Sequence, residues 1–163
     1  MRISQLFFLL LAACGIRGQS FDQMVDNLID KSIPLIQPNE LDKERTTSSN
    51  LVILDARARE EYQVSHLEGA LWVGYKDFDM NQLSLDPGSE IVVYCSVGYR
   101  SEKVAEQIEK AGYKNVKNLY GGIFNWVNNG YSVVDGNEVK TQKVHPYSNS
   151  WGKWLIKGEK AYE

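Results

Sequence analysis

The run Glu90-Ile91-Val92-Val93-Tyr94-Cys95-Ser96-Val97-Gly98-Tyr99-Arg100-Ser101 decides how the rest of the chain is read. Ile91 to Tyr94 is continuously apolar, the pattern of a strand buried on both faces of a parallel sheet. It runs directly into Cys95. Further on, Val104, Ala105, Ile108 and Ala111 recur at helical spacing and Gly112 supplies a stop, so a helix is predicted over 101–112. The loop between them contains Gly98, which permits a tight curl. Its backbone N–H groups, from Ser96 and Val97 through Gly98 and Tyr99 to Ser101, together with the positive end of the helix, can gather round an anion. Such surroundings lower a thiol pKa and make the thiolate a nucleophile. Arg100 can hold a charged substrate by a forked contact. An inert core cysteine is the competing reading, and it does not account for the glycine, arginine and helix that follow.

Working outward, Leu51-Val52-Ile53-Leu54-Asp55 is a second buried parallel strand, ending in an acid. Pro34 to Ile36, Ala70 to Val73 and Val116 to Leu119 read as further strands. Helical spacing is found over 21–31, and Pro38 with Glu40 marks a helix start. Lys43 to Asn50 reads as a polar connection and Glu60 to Ser65 as one or two helical turns. Asp77 to Leu85 reads as a short helix with a loop, Pro87-Gly88 as a turn. A last helix follows Gly121-Gly122 through Phe124, Trp126 and Val127 to Gly130. Alternating short strands and helices give an α/β fold, an open sheet of about five mostly parallel strands flanked by helices. The domain is placed at 33–134. A basic, Trp-containing extension over 135–163 has Trp151 and Trp154 expected to pack on the domain.

The whole sequence has 163 residues, 43% of them apolar and 24% charged, with a net charge of -3. These values fit one folded domain and exclude disorder; the acidic balance argues against a nucleic-acid partner. Cys14 and Cys95 are the two cysteines, too few for a disulfide scaffold, and with His66 and His145 alone they make no zinc cluster. No GxGxxG or Walker pattern is present, so no cofactor or metal is expected.

At the N-terminus, Arg2 precedes the apolar Leu6 to Ala13, too short for a membrane span of about 20 residues but suited to a secretion signal. Leu11-Ala12-Ala13-Cys14 resembles the lipobox of bacterial lipoproteins. That resemblance implies a signal peptide over 1–13 and lipid attachment at Cys14, followed by a tether and helix over 14–32. It implies export and anchoring in the cell envelope, on the periplasmic or outer-membrane face.

The ordered set of motifs resembles a single-domain rhodanese. Asp55-Ala56-Arg57, Glu60-Glu61-Tyr62 and His66-Leu67-Glu68-Gly69-Ala70 are similar to that family's first motif. Cys95 to Ser101 resembles its active-site loop, and Gly121-Gly122, Trp126 and Gly130 its closing motif. The resemblance implies that Cys95 takes sulfur from thiosulfate or a persulfide, carries it as a persulfide ringed by N–H groups from Ser96 to Ser101, and passes it to cyanide, a thiol or a protein acceptor. Arg100 would bind the anionic donor. Asp55, Arg57, His66 and Gly69 would be structural, Asp55 by pairing or capping loop amides and Arg57 by pairing with Glu61 or holding a neighbouring loop. Related phosphatases and arsenate reductases place one more residue between cysteine and arginine, so the shorter loop here favours sulfur transfer. A persulfide carrier serving a protein partner is the alternative, then a thiol redox protein. Many sulfurtransferases have an arginine directly after the cysteine and a lysine later. Here those places hold Ser96 and Val97, which lessens the pull on thiosulfate, and Tyr99 offers an apolar rim.

Overall fold

In the computed structural model, which describes residues 18–163, the apolar runs become the middle of one sheet. Its strands are β1 (Leu35–Ile36), β2 (Leu51–Asp55), β3 (Leu71–Trp72), β4 (Glu90–Tyr94) and β5 (Val116–Leu119). The order is β1-β5-β4-β2-β3, and every pairing is parallel. Alternation sends side chains of each strand to opposite faces. Ile53, Val92, Tyr94 and Leu119 join one apolar cluster; Leu54, Ile91, Val93 and Val116 join the other. Covering both faces is what a parallel sheet requires.

The helices are α1 (Phe21–Leu28), α2 (Pro38–Thr47), α3 (Arg59–Val64), α4 (Tyr99–Lys110) and α5 (Gly122–Asn128), with a 3-10 turn at Met80–Gln82. Val104, Ala105 and Ile108 of α4 cover one face, and Ile123, Phe124, Trp126 and Val127 of α5 the other. The connection from β2 runs to β3 on one side, and that from β4 runs to β5 on the other. The chain therefore reverses its direction of winding between β2 and β4, the place where open α/β sheets hold their ligands. Asp55 and Tyr94 are register partners at the carboxyl ends of those two strands, and Cys95 follows next.

Three boundaries differ from the sequence pattern. α1 ends at Leu28 instead of 31, because the amides of Asp30 and Ser32 turn to the buried Glu102 carboxylate at 2.8 and 3.0 Å and Lys31 adopts φ 56°. α2 continues through Thr47, across the expected polar connection. It buries only Pro38 and Leu41 and is held by Lys117–Glu44 and Arg45–Glu68 contacts that no periodicity reveals. α4 starts at Tyr99, two residues early, which puts Tyr99 and Arg100 in its first turn.

From 133 onward the chain folds back over the domain in short pieces: β6 (Val133–Val134) pairs β7 (Lys140–Thr141), β8 (Lys143–Val144) pairs β9 (Glu159–Lys160), and α6 covers Asn149–Gly152. Val144 and Leu155 are buried, and Trp151 and Trp154 pack against the larger cluster. Trp154 meets Phe21 of α1 edge-on at 6.2 Å.

Candidate active site

The cysteine loop is held from behind. The amides of Ile123 and Phe124, at the start of α5, donate to the carbonyls of Cys95 and Ser96 at 2.9 and 3.1 Å. That approach requires glycine, since a Cβ on Gly122 would lie 2.2 Å from the Cys95 carbonyl oxygen. Gly98 ends the loop at φ 114° and caps α4. Its carbonyl accepts the Asn118 side-chain amide at 2.9 Å, while Ser101 Oγ lies 3.1 Å from the same carbonyl and 2.7 Å from Asn118 Oδ1. With carbonyls turned outward, N–H groups turn in: Gly98 N–H donates to Cys95 Sγ at 3.2 Å.

Cys95 is 2% exposed. Burial raises its pKa, but the charge of Arg100 and hydrogen bonds from Ser101 and the Gly98 amide outweigh it, and the net result lies below the ordinary thiol value. The loop shifts Cys95 toward its thiolate form.

The acid that organises the front of the loop is Glu61 of α3. Its oxygens take Arg100 Nη1 and Nη2 at 2.7 and 2.8 Å, the Ser96 hydroxyl at 3.0 Å and the Ala58 amide at 2.9 Å. Burial raises its pKa, but Arg100 outweighs this and holds it below the carboxylate norm. The fork of Arg100 is thus engaged by a protein carboxylate. Arg57, the partner considered for Glu61, instead pairs with Asp55: Nη2 lies 2.6 Å from Asp55 Oδ2, with both side chains wholly buried. Asp55 also accepts the Arg57 amide at 2.9 Å, and Arg57 reaches the Ser65 carbonyl at 2.6 Å. His66 is 1% exposed and stacks on Tyr62 at 3.8 Å. Its Nδ1 meets the Tyr62 carbonyl and Nε2 meets Glu138, each at 3.0 Å. Gly69 makes a left-handed turn at φ 78°. Asp55, Arg57, His66 and Gly69 therefore brace the adjoining loops, while the Gly98 amide, Ser101 and the charge of Arg100 act on the Cys95 sulfur and Ser96 ties Arg100 to Glu61.

Two cavities open here. One of about 140 Å³ lies over Cys95 and is walled by Leu28, Val97, Tyr99, Tyr147 and Trp151, with Ser96 and Arg100. A larger cleft of about 650 Å³ adjoins it across Tyr99, Arg100 and Tyr147 and reaches Arg59, Trp72, Lys76 and His145. Tyr147 lies under the Arg100 guanidinium, 4.9 Å from ring centre to Cζ. Its backbone is left-handed, φ 64°, and its amide donates to His145 Nδ1 at 3.0 Å. Burial lowers the His145 pKa, in keeping with a neutral ring that accepts there.

Sequence reading did not find Asn118, Tyr147, Trp151 or Leu28 as site residues, nor the Glu61–Arg100 pair. Only Asn118 carried a signal, an amide in the middle of a strand. Cys14 and its lipobox lie outside the described residues. Among the described residues no helix is long and apolar enough to cross a membrane, and no group of metal-binding side chains occurs.

The rhodanese-like domain family matches residues 37–129. The chain is 32% identical over 117 residues to a tRNA uridine(34) hydroxylase of Streptococcus suis, covering 67% of this chain and 35% of that protein. It is 32% identical over 95 residues to the putative sulfur carrier protein YrkF of Bacillus subtilis, covering 58% and 51%. It thus spans between a third and about half of the length of these curated relatives. Among solved structures, a rhodanese-like domain from Anabaena is 25% identical with a TM-score of 0.57, covering 63% of this chain and 79% of that one. A thiosulfate sulfurtransferase of Pseudomonas aeruginosa shares the fold at 23% identity and a TM-score of 0.60, covering 83% and 25%. With the cysteine loop and four of the five sheet strands inside the matched stretch, the chain belongs to the rhodanese-like domain family.

Proposed function

We propose that this domain is a sulfurtransferase that moves sulfane sulfur through a persulfide on Cys95. The observation that carries this reading is a buried thiol pulled toward its ionised form, with the Gly98 amide already on the sulfur. The thiolate attacks the outer sulfur of thiosulfate or a persulfide, and the S–S bond of the donor breaks. Sulfite or a thiolate leaves with the bonding pair. The same N–H groups receive the negative charge on the transferred sulfur. Cyanide, a thiol or a protein acceptor then attacks that sulfur and restores Cys95.

Mass spectrometry of the purified protein after thiosulfate tests this. A gain of one sulfur atom, removed by cyanide and missing in Cys95→Ala, is the expected result. No adduct, with hydrolysis of an aryl phosphate in its place, sinks the proposal. Persulfide that only a partner protein discharges assigns the domain to sulfur carriage, a reading favoured by the likeness to a putative sulfur carrier. We further propose that Cys14 carries a lipid and anchors the protein in the bacterial cell envelope, on the strength of Leu11-Ala12-Ala13-Cys14 alone. Incorporation of labelled lipid that persists in Cys14→Ala overturns that part.

A further inference from the structure

The mouth of the site and the charge around Cys95 bear on which donor it takes, a question that rests on the sulfurtransferase reading. Glu61 balances Arg100, and Asp55 balances Arg57. Ionisation of Cys95 therefore leaves its surroundings with a net negative charge. The outer cleft adds no clear sign, since both Arg59 and Lys76 and Glu60 and Asp77 line it. A doubly charged donor meets repulsion in a buried place, where charges act over low dielectric. Arg100 gives three of its five N–H donors to Glu61 and Ser96, so a forked grip on the donor through Nη1 and Nη2 must displace Glu61, whose side chain is 2% exposed and makes four hydrogen bonds.

The walls point the same way. Leu28 comes from α1, Val97 from the loop, and Tyr147 and Trp151 from the C-terminal extension. At about 140 Å³ the space is close to an apolar cavity of about 150 Å³ that accommodates benzene. It is too small for a folded partner's surface and lies directly over the sulfur.

We propose that the donor is a small, singly charged organic sulfane compound, a persulfide or thiosulfonate, whose carbon group is bound by Tyr147 and Trp151. Glu61 selects against dianionic thiosulfate. With a thiosulfonate, Cys95 Sγ forms a bond to the terminal sulfur, and the bond from that sulfur to the sulfonyl sulfur breaks. The sulfinate leaves with the bonding pair, and the negative charge of the donor stays on the new persulfide. No oxidant, reductant or proton is consumed.

Benzenethiosulfonate and methanethiosulfonate have the same charge and reacting atoms and differ in the carbon group. Their kcat/KM ratio, with cyanide as acceptor and thiocyanate as readout, is compared with the ratio they show toward a free thiol in solution. The expected enzyme ratio exceeds the solution ratio about tenfold or more. Trp151→Ala and Tyr147→Ser each bring it toward the solution value, and Trp151→Phe keeps most of it. Glu61→Gln raises thiosulfate relative to methanethiosulfonate about tenfold, a ratio insensitive to the amount of folded protein. A wild-type ratio equal to that in solution, or one unmoved by both mouth variants, overturns the assignment while Cys95 chemistry stands. Turnover with a persulfidated protein but neither thiosulfonate does the same. Failure to take sulfur from any donor overturns the sulfurtransferase reading itself.

Discussion

Two arginine–carboxylate pairs stand close together at the carboxyl edge of the sheet, built from the same two functional groups. Asp55–Arg57 is wholly buried and points its remaining hydrogen bonds at backbone, including the Ser65 carbonyl. Glu61–Arg100 is 2% and 15% exposed and shares the hydroxyl of Ser96, the residue that follows Cys95. The first pair contributes order: it ties the end of β2 to the turn that follows α3. The second contributes field, because Arg100 pulls down the Cys95 pKa while Glu61 offsets the arginine's charge. Identical chemistry is put to different ends by its distance from the thiol and by its access to solvent.

The largest expected effect breaks the first pair. Arg57→Ala strands a buried carboxylate and is expected to cost about 3–5 kcal/mol of unfolding free energy in urea titrations. Replacing both partners, as Asp55→Leu with Arg57→Met, is expected to recover much of that loss. A double variant as unstable as the single one would show that the pair itself, and not its imbalance, stabilises the fold. Arg100→Gln is next. It is expected to cost about 1–3 kcal/mol, less than Arg57→Ala, because water can reach Glu61 once the guanidinium is gone. Its clearer signature is electrostatic. Wild-type Cys95 alkylation by iodoacetamide is expected to rise with pH around a midpoint below that of an ordinary thiol. Removing the cation disfavours the thiolate, so the midpoint moves up. A midpoint unchanged in Arg100→Gln would leave the loop donors alone as the cause. The smallest effect belongs to a third pair, His66–Glu138, whose acid is 61% exposed. Glu138→Gln is expected to change stability by about 0.5 kcal/mol or less and turnover not at all.

Much of this molecule was legible in its sequence. The two central strands were visible because Leu51 to Leu54 and Ile91 to Tyr94 are too apolar to be anything but interior, and the parallel sheet of about five strands because short strands and helices alternate. The cysteine loop was visible because strand, glycine, arginine and helix follow within one short stretch. What could not be read depends on contacts distant in sequence. Glu61 lies 39 residues from Arg100, and nothing local marks it as that arginine's partner in preference to Arg57. Tyr147 and Trp151 belong to a segment whose spacing is not periodic; the packing of Trp151 was foreseeable, but not that of Tyr147 or the cavity they close. α2 shows the same limit: Pro38 and Glu40 mark its start, but its second half is held by ion pairs from Glu44 to Lys117 and from Arg45 to Glu68, not by an apolar face.

The contact between α5 and the loop gives the sulfur a line of communication through the protein. Ile123 and Phe124 donate to the Cys95 and Ser96 carbonyls, so each of their N–H protons probes a peptide group polarised by the charge in front of it. In the proposed persulfide the negative charge would sit on a second sulfur farther out than Sγ, and that polarisation would relax. The amide resonances of these two residues, on the far side of the loop from the cavity, would then gauge whether the thiol is loaded, with no reagent entering the cavity.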